Sequence, residues 1–184
     1  MSNEVKFISE NKILSTSSFN IVKRYFSLIN SKNFVKEIIL SKPIVTTIPV
    51  LDNKHILLVD QYRYGVKKNL LELPAGTMKN NEAPLACAKR ELEEETGYKS
   101  DFWIKFNSFY SSPGLNNELV HCFEAKKLIK TKNKLDYDEI LKPVIIEEGK
   151  IKDLIINGYI KDAKTIIGLM QYFFLNNNRK NDSL

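Results

Sequence analysis

With 184 residues the chain has room for one well-packed domain and a small extension, not comfortably for two. Its 43% hydrophobic and 27% charged residues suit an ordinary globular protein, and no apolar run approaches the ~20 residues that span a bilayer, so no membrane partner is expected. A net charge of +6 fits nucleic acid or an anionic small substrate, but the one basic cluster (Lys126, Lys127, Lys130, Lys132, Lys134) lacks interleaved aromatics and a recognition-helix pattern. It reads as a solvated loop, and no nucleic-acid partner is expected.

From Val5 to about Leu40 the pattern predicts short strands over VKFISEN, KILSTSS, FNIVKRYFSLI and FVKEIIL. Turn residues at Glu10-Asn11, Ser17-Ser18 and 30–33 separate them. Phe19, Ile21, Lys23 and Tyr25 alternate as in a half-exposed antiparallel sheet, although Ile21 to Ile29 also fits a helix. Residues 44–50 and 55–59 are β-branched and apolar, with a hairpin turn over 52–54, and read as central strands. Gln61-Tyr62-Arg63-Tyr64 follows, then a polar loop to Leu70-Leu71-Glu72-Leu73-Pro74-Ala75-Gly76.

Pro84 to about Thr96 has the signals of a helix, with proline at its first position and Gly97 where a left-handed residue stops it. Leu85, Ala88 and Leu92 share one face, expected to dock on a core. Glu91, Glu94 and Glu95 stand at i, i+3 and i+4, so their carboxylates converge on a different face. Three such carboxylates repel one another unless cations bind between them, and hard oxygen ligands suit Mg²⁺, with Mn²⁺ as a substitute. Arg90, one turn before Glu94, can hold that residue by a charge-assisted bond.

Residues 102–110 and 118–125 are strand-like and expected to pair across the loop 111–117; 126–138 reads as loop and 140–146 as a further strand. Glu147 to Ile156 and Asp162 to Leu175 read as helices around the stop Asn157-Gly158, burying Leu154, Ile155, Ile166, Ile167, Leu169, Met170 and Phe173. The remainder is a polar tail, expected to fray. The class is α+β. Two cysteines, Cys87 and Cys122, cannot make a disulfide framework or a four-ligand zinc site. Cys87 lies near Glu91 on the helix wheel, and a small reduced residue in a helix is preferred to a thiol ligand; His55 and His121 read as scaffold. The N-terminal residues have neither a basic nor an apolar signal region, so a cytoplasmic location is expected.

A solvated acidic face would explain the glutamates alone, leaving Gly76, Glu82, Arg90 and Gly97 unexplained at their distances. Together the residues from Gly76 to Tyr98 resemble the Nudix box, G-x5-E-x7-R-E-U-x-E-E-x-G-U, with every fixed position filled and Tyr98 the least orthodox. The resemblance implies a mixed sheet sandwiched between helices over residues 43–176, a polar tail 177–184, and an N-terminal antiparallel β extension over 1–42. Such an extension resembles the dimer-building one of ADP-ribose pyrophosphatases, so a homodimer is expected. By position, Glu91, Glu94, Glu95 and the carbonyl of Ala75 would be metal ligands. Glu82 would be a supporting or water-mediated ligand, and Arg90 would orient them.

Outside the box, Q-Y-R at 61–63, E-L-P-A-G at 72–76 and Ser112-Pro113-Gly114 with Glu118 resemble the ADP-ribose pyrophosphatase subfamily. Arg63 would grip a phosphate, its alternative being a surface salt bridge, and Pro113, Gly114 and Glu118 would contact substrate. Glu139 is the candidate general base, with Asp138 and Glu118 as competitors. The implied reaction is Mg²⁺-dependent hydrolysis of ADP-ribose to AMP and ribose 5-phosphate. Hydrolysis of another nucleoside diphosphate-sugar or a dinucleotide is the alternative; a non-catalytic nucleotide sensor fits less well because the box is intact.

Overall fold

Two units divide the chain, Met1–Pro43 with Tyr110–Leu119, and Ile44–Phe109 with Val120–Leu184. A computed structural model describes residues 4–28, 32–52, 54–132 and 140–181, with side chains as far as residue 176.

In the first unit, β1 (Val5–Ser15), β2 (Phe19–Leu28) and β3 (Asn33–Ser41) form an antiparallel sheet in that order. The turn expected at Glu10-Asn11 is absent and β1 runs straight through it. Glu10 stands opposite Arg24, whose Nε donates to Glu10 Oε2 at 2.7 Å, so this pair belongs to the ladder rather than to a turn. Register shifts between Phe7 and Ser9 and between Lys12 and Leu14 absorb the extra residues as bulges. The turn at Ser17-Ser18 forms, closed by Thr16 N donating to Phe19 O. β2 pairs with β3 residue by residue from Phe19 opposite Ser41 to Ser27 opposite Asn33, which decides strand over helix. Ile29, Asn30 and Ser31 of the expected segment lie outside the described residues. Ser112 O accepts from the amides of Leu115 and Asn116, and Ile39 N donates to Leu115 O, so the 110–119 loop lies along β3.

The second unit is built on β4 (Ile44–Asp52) and β5 (His55–Arg63), whose alternate residues are apolar on both faces. Its sheet runs β11 (Leu119–Lys126), β4, β5, β13 (Leu141–Glu147), with β6 (Lys68–Glu72) on β5, β7 (Ala75–Thr77) on β4 and β9 (Phe102–Lys105) on β11. β11 is parallel to β4 and the other pairings are antiparallel, so the sheet is mixed. One face, with Val45 and Phe123, packs on Cys87 and Ala88 of α1 (Pro84–Thr96). The opposite face, with Ile48, Leu58 and Cys122, packs on Ile151 of α2 (Glu148–Ile156) and on Leu169 and Tyr172 of α3 (Ala163–Asn181). The expected sandwich of a mixed sheet between helices is thus present.

Local expectations fail where distant packing intervenes. The strand expected over 102–110 breaks into β9 and β10 (Phe109–Tyr110), because Asn107 N turns to donate to Gln171 Oε1 of α3 at 3.1 Å. The expected loop after Lys126 contains β12 (Ile129–Lys130), paired with β8 (Tyr98–Lys99). Leu85 is exposed, and Met170 is exposed because Thr165, Leu169 and Tyr172 carry the buried stripe of α3. With no Gly or Pro after Leu175, α3 continues to Asn181 instead of ending there. No described helix is long and apolar enough to cross a membrane.

Candidate active site

The short strand β7 and the helix α1 build the site between them. Gly76 pairs with Val45 of β4 and lies directly under Glu91. A Cβ at Gly76 would fall 1.9 Å from Glu91 Cδ, so only glycine leaves room for that carboxylate. Gly97 closes the helix in the left-handed region at φ 70°, its N–H returned to Glu93 O. At the other end Ala83 offers no side-chain cap. Glu82 ties the entry loop instead: its Oε2 accepts from Lys79 N at 2.7 Å and its own N–H donates to Lys79 O.

Sequence spacing separates an apolar face from a carboxylate face of α1, but packing merges them. The buried residues include Cys87, Ala88 and Leu92 together with Glu91 and Glu95, and Glu95 is only 1% exposed. Buried carboxylates must be compensated. Ala75 N donates to Glu95 Oε2 at 3.1 Å. Arg90 serves the others: its Nε and Nη2 donate to Glu82 at 2.9 and 3.1 Å, and its Nη1 to Glu91 at 2.7 Å and to Glu94 at 2.8 Å. The pairing with Glu82, against the opposing effect of burial and with further help from Glu94 and Glu91, raises the Arg90 pKa above the ordinary arginine range. The same bond to Arg90, outweighing burial, lowers Glu82 to about 2. Cys87 is pushed up to about 12, first by burial and then by the charges of Glu91 and Glu82, so it stays a thiol. That agrees with its reading as a small reduced helix residue.

A polar cavity of about 320 Å³ opens beside these groups, and Ala75, Glu91, Glu94 and Glu95 line it together. Its cations are Arg63, Lys79 and Arg90. Arg63 donates from Nε and Nη2 to both oxygens of buried Glu72, at 2.8 and 2.6 Å, so its ion pair is with a core carboxylate rather than a surface one. Arg63 and Arg90 each also bond a carboxylate outside the lining, Glu72 and Glu82. Among the described residues no three His, Cys, Asp or Glu side chains form a ready-made ion cage. Arg90 occupies the place between the carboxylates that a cation would otherwise take. The three carboxylates gathered on one cavity are hard oxygen donors of the kind that fit a divalent cation.

Pro113, Gly114 and Glu118 belong to the first unit, where Glu118 N donates to Asn116 Oδ1 and Ser111 N to Glu118 O. Glu139 and its competitor Asp138 lie outside the described residues. Sequence reading missed Lys79 as a lining residue and Glu72 as the anchor of Arg63. Glu72 carried a signal in its adjacency to Leu73-Pro74-Ala75-Gly76. Lys79 carried none, since its loop position is recognisable only once the cavity is formed.

The NUDIX domain family model matches residues 41–152. The chain belongs to the Nudix family, and it is an enzyme of that family, a Nudix hydrolase. It is 34% identical to an ADP-ribose pyrophosphatase of Bacillus subtilis (strain 168) over 174 residues, 94% of each chain. It is 33% identical to a methanol dehydrogenase activator of Bacillus methanolicus, again over 94% of each. A solved structure of an ADP compounds hydrolase superposes with a TM-score of 0.86 at 17% identity, covering 96% of both chains, a likeness of fold.

Proposed function

We propose that the chain hydrolyses ADP-ribose with water to AMP and ribose 5-phosphate, using Mg²⁺, with Mn²⁺ as a substitute. The observation that carries this is one cavity in which Glu91, Glu94, Glu95 and Ala75 meet the cations Arg63, Lys79 and Arg90. A pyrophosphate repels water through its ring of anionic oxygens; when bound, a divalent ion neutralises that charge and lowers the pKa of water. Glu91, Glu94, Glu95 and the Ala75 carbonyl would hold it, with Glu82 supporting them through Arg90. Arg63, its plane set by Glu72, presents its remaining N–H donors to the pyrophosphate. Water attacks one phosphorus, the bridging P–O bond breaks, and the water proton passes to a carboxylate. Glu139 is proposed for that proton, with Asp138 and Glu118 as alternatives. Pro113, Gly114 and Glu118 are proposed to shape the substrate's far end.

The first unit is also proposed to form a homodimer in the cytoplasm. Val5, Phe7, Ile8, Ile13 and Leu14 of β1 are all exposed, an apolar strip that a second copy would cover.

Purified protein offered ADP-ribose, NADH, GDP-mannose, diadenosine polyphosphates and an oxidised purine triphosphate in parallel, with Mg²⁺, tests the substrate. The highest kcat/KM is expected on ADP-ribose. Preference for GDP-mannose would select the nucleotide-sugar alternative. Tight nucleotide binding with no AMP release would select the sensor.

A further inference from the structure

We propose that Lys164 is a positioning residue that sets how much positive charge Arg63 presents to the substrate. The inference rests on the reading of Arg63 as a pyrophosphate-binding residue.

Glu72, at the end of β6, is 1% exposed, and Arg63 bonds both of its oxygens. Were this a closed one-to-one pair, the buried carboxylate would offset much of the field that the partly exposed Arg63 projects into the cavity. It is not closed. Lys164, in the first turn of α3 and 12% exposed, also donates from Nζ to Glu72 Oε2. Glu72 is therefore shared between two cations, and without the lysine it would draw on Arg63 alone.

The lysine is itself held. Its Nζ lies 3.0 Å from Asp162 Oδ2. That oxygen accepts from Thr165 N at 2.9 Å and from Thr165 Oγ1 at 2.6 Å, capping the start of α3. Thr165 Oγ1 in turn accepts from Leu73 N at 2.8 Å. Two cations and two carboxylates thus form one set of net charge zero that staples α3 to the segment leading into Ala75 and Gly76, and loss of the Lys164 charge would leave Arg63 facing both Glu72 and Asp162. Burial works to raise the Asp162 pKa, but Lys164 and the Thr165 bonds outweigh it and keep that carboxyl below its usual range. A merely structural lysine would satisfy Glu72 and do nothing else. A positioning lysine makes substrate affinity depend on a residue that never touches substrate.

Lys164→Met removes the charge and keeps the stem; Lys164→Arg keeps the charge. Both are to be made in the full chain, alone and with Arg63→Ala, and read by steady-state kinetics on ADP-ribose, by ADP-ribose binding without divalent metal, and by Tm. Lys164→Met is expected to raise KM and weaken metal-free binding by about 5- to 20-fold with kcat within about twofold, the signature of lost ground-state binding. Lys164→Arg should recover most of the loss. In the Arg63→Ala background Lys164→Met should add little, since both act through one group.

A lowered Tm with unchanged KM and binding would make the lysine structural and overturn the proposal. Fully additive losses would do the same. If Lys164→Met does not fold, Lys164→Gln, which keeps a donor for Glu72 without the charge, is read by the same criteria. Arg63→Ala with unchanged KM would overturn the phosphate-binding role of Arg63, and the proposal with it. An impaired Arg63→Ala beside an unimpaired Lys164→Met would overturn the proposal alone.

Discussion

Gly76 shows how one atom can decide a site. With Glu91 Cδ 1.9 Å from a would-be Cβ, Gly76→Ala must displace either the carboxylate or the β7 backbone. Overpacking of that kind costs ~1–3 kcal/mol, and Tm should fall accordingly in a thermal melt. Activity should fall further than stability, because Glu91 is moved off the cavity wall; a Gly76→Ala enzyme with wild-type turnover would show that Glu91 is dispensable. The glutamates beside it make a sharper test. Glu94→Gln and Glu95→Gln each remove one anionic donor from the proposed cation site, and kcat at saturating Mg²⁺ should drop by roughly 10²–10⁴-fold with far-UV circular dichroism unchanged. Retention of near wild-type turnover by both variants would rule out that site.

At the scale of elements, α1 is organised by a single arginine. Arg90 gathers Glu82 from the entry loop and Glu91 and Glu94 from its own helix, so the loop and the helix behave as one electrostatic unit. The Glu82 carboxyl, at about 2 in the folded protein against 4.5 for the free side chain, binds its proton less readily folded than unfolded. Its contribution to stability is therefore complete above pH 4.5 and is lost as pH falls from there through about 2. Tm measured stepwise between pH 5 and pH 2.5 should decline less steeply for Glu82→Gln than for the wild type, although the variant starts lower at pH 5. Parallel curves would mean that Glu82 is not held by Arg90 in solution.

For the whole molecule the open question of surface lies with β1. All eleven of its residues are exposed, and five of them, Val5, Phe7, Ile8, Ile13 and Leu14, are large and apolar. An edge strand of that composition is an association surface unless something covers it. Sedimentation at micromolar concentration is expected to give twice the 21.3 kDa of one chain, and Phe7→Glu with Ile13→Glu should shift it to the monomer. A wild-type species of 21.3 kDa under those conditions would exclude the homodimer.

What the sequence determined by itself was local. Pro84, Gly97 and the i, i+3, i+4 glutamates set the limits of α1 and the angles between its side chains, because a helix fixes those angles whatever surrounds it. Continuous β-branched and apolar runs marked β4 and β5 as central strands. Tertiary structure decided what such patterns leave free. The rotation of α1 against the sheet buried Glu91 and Glu95 and exposed Leu85, since the packed neighbours, not the helical period, choose which face turns inward. The break after β9 came from a glutamine on α3, 64 residues away. The partner of Arg63 was close by in Glu72, but the second cation on that carboxylate, Lys164, stands 92 residues further along the chain. Ion pairs of that separation leave no periodic trace, because their geometry exists only after the sheet and helices have packed.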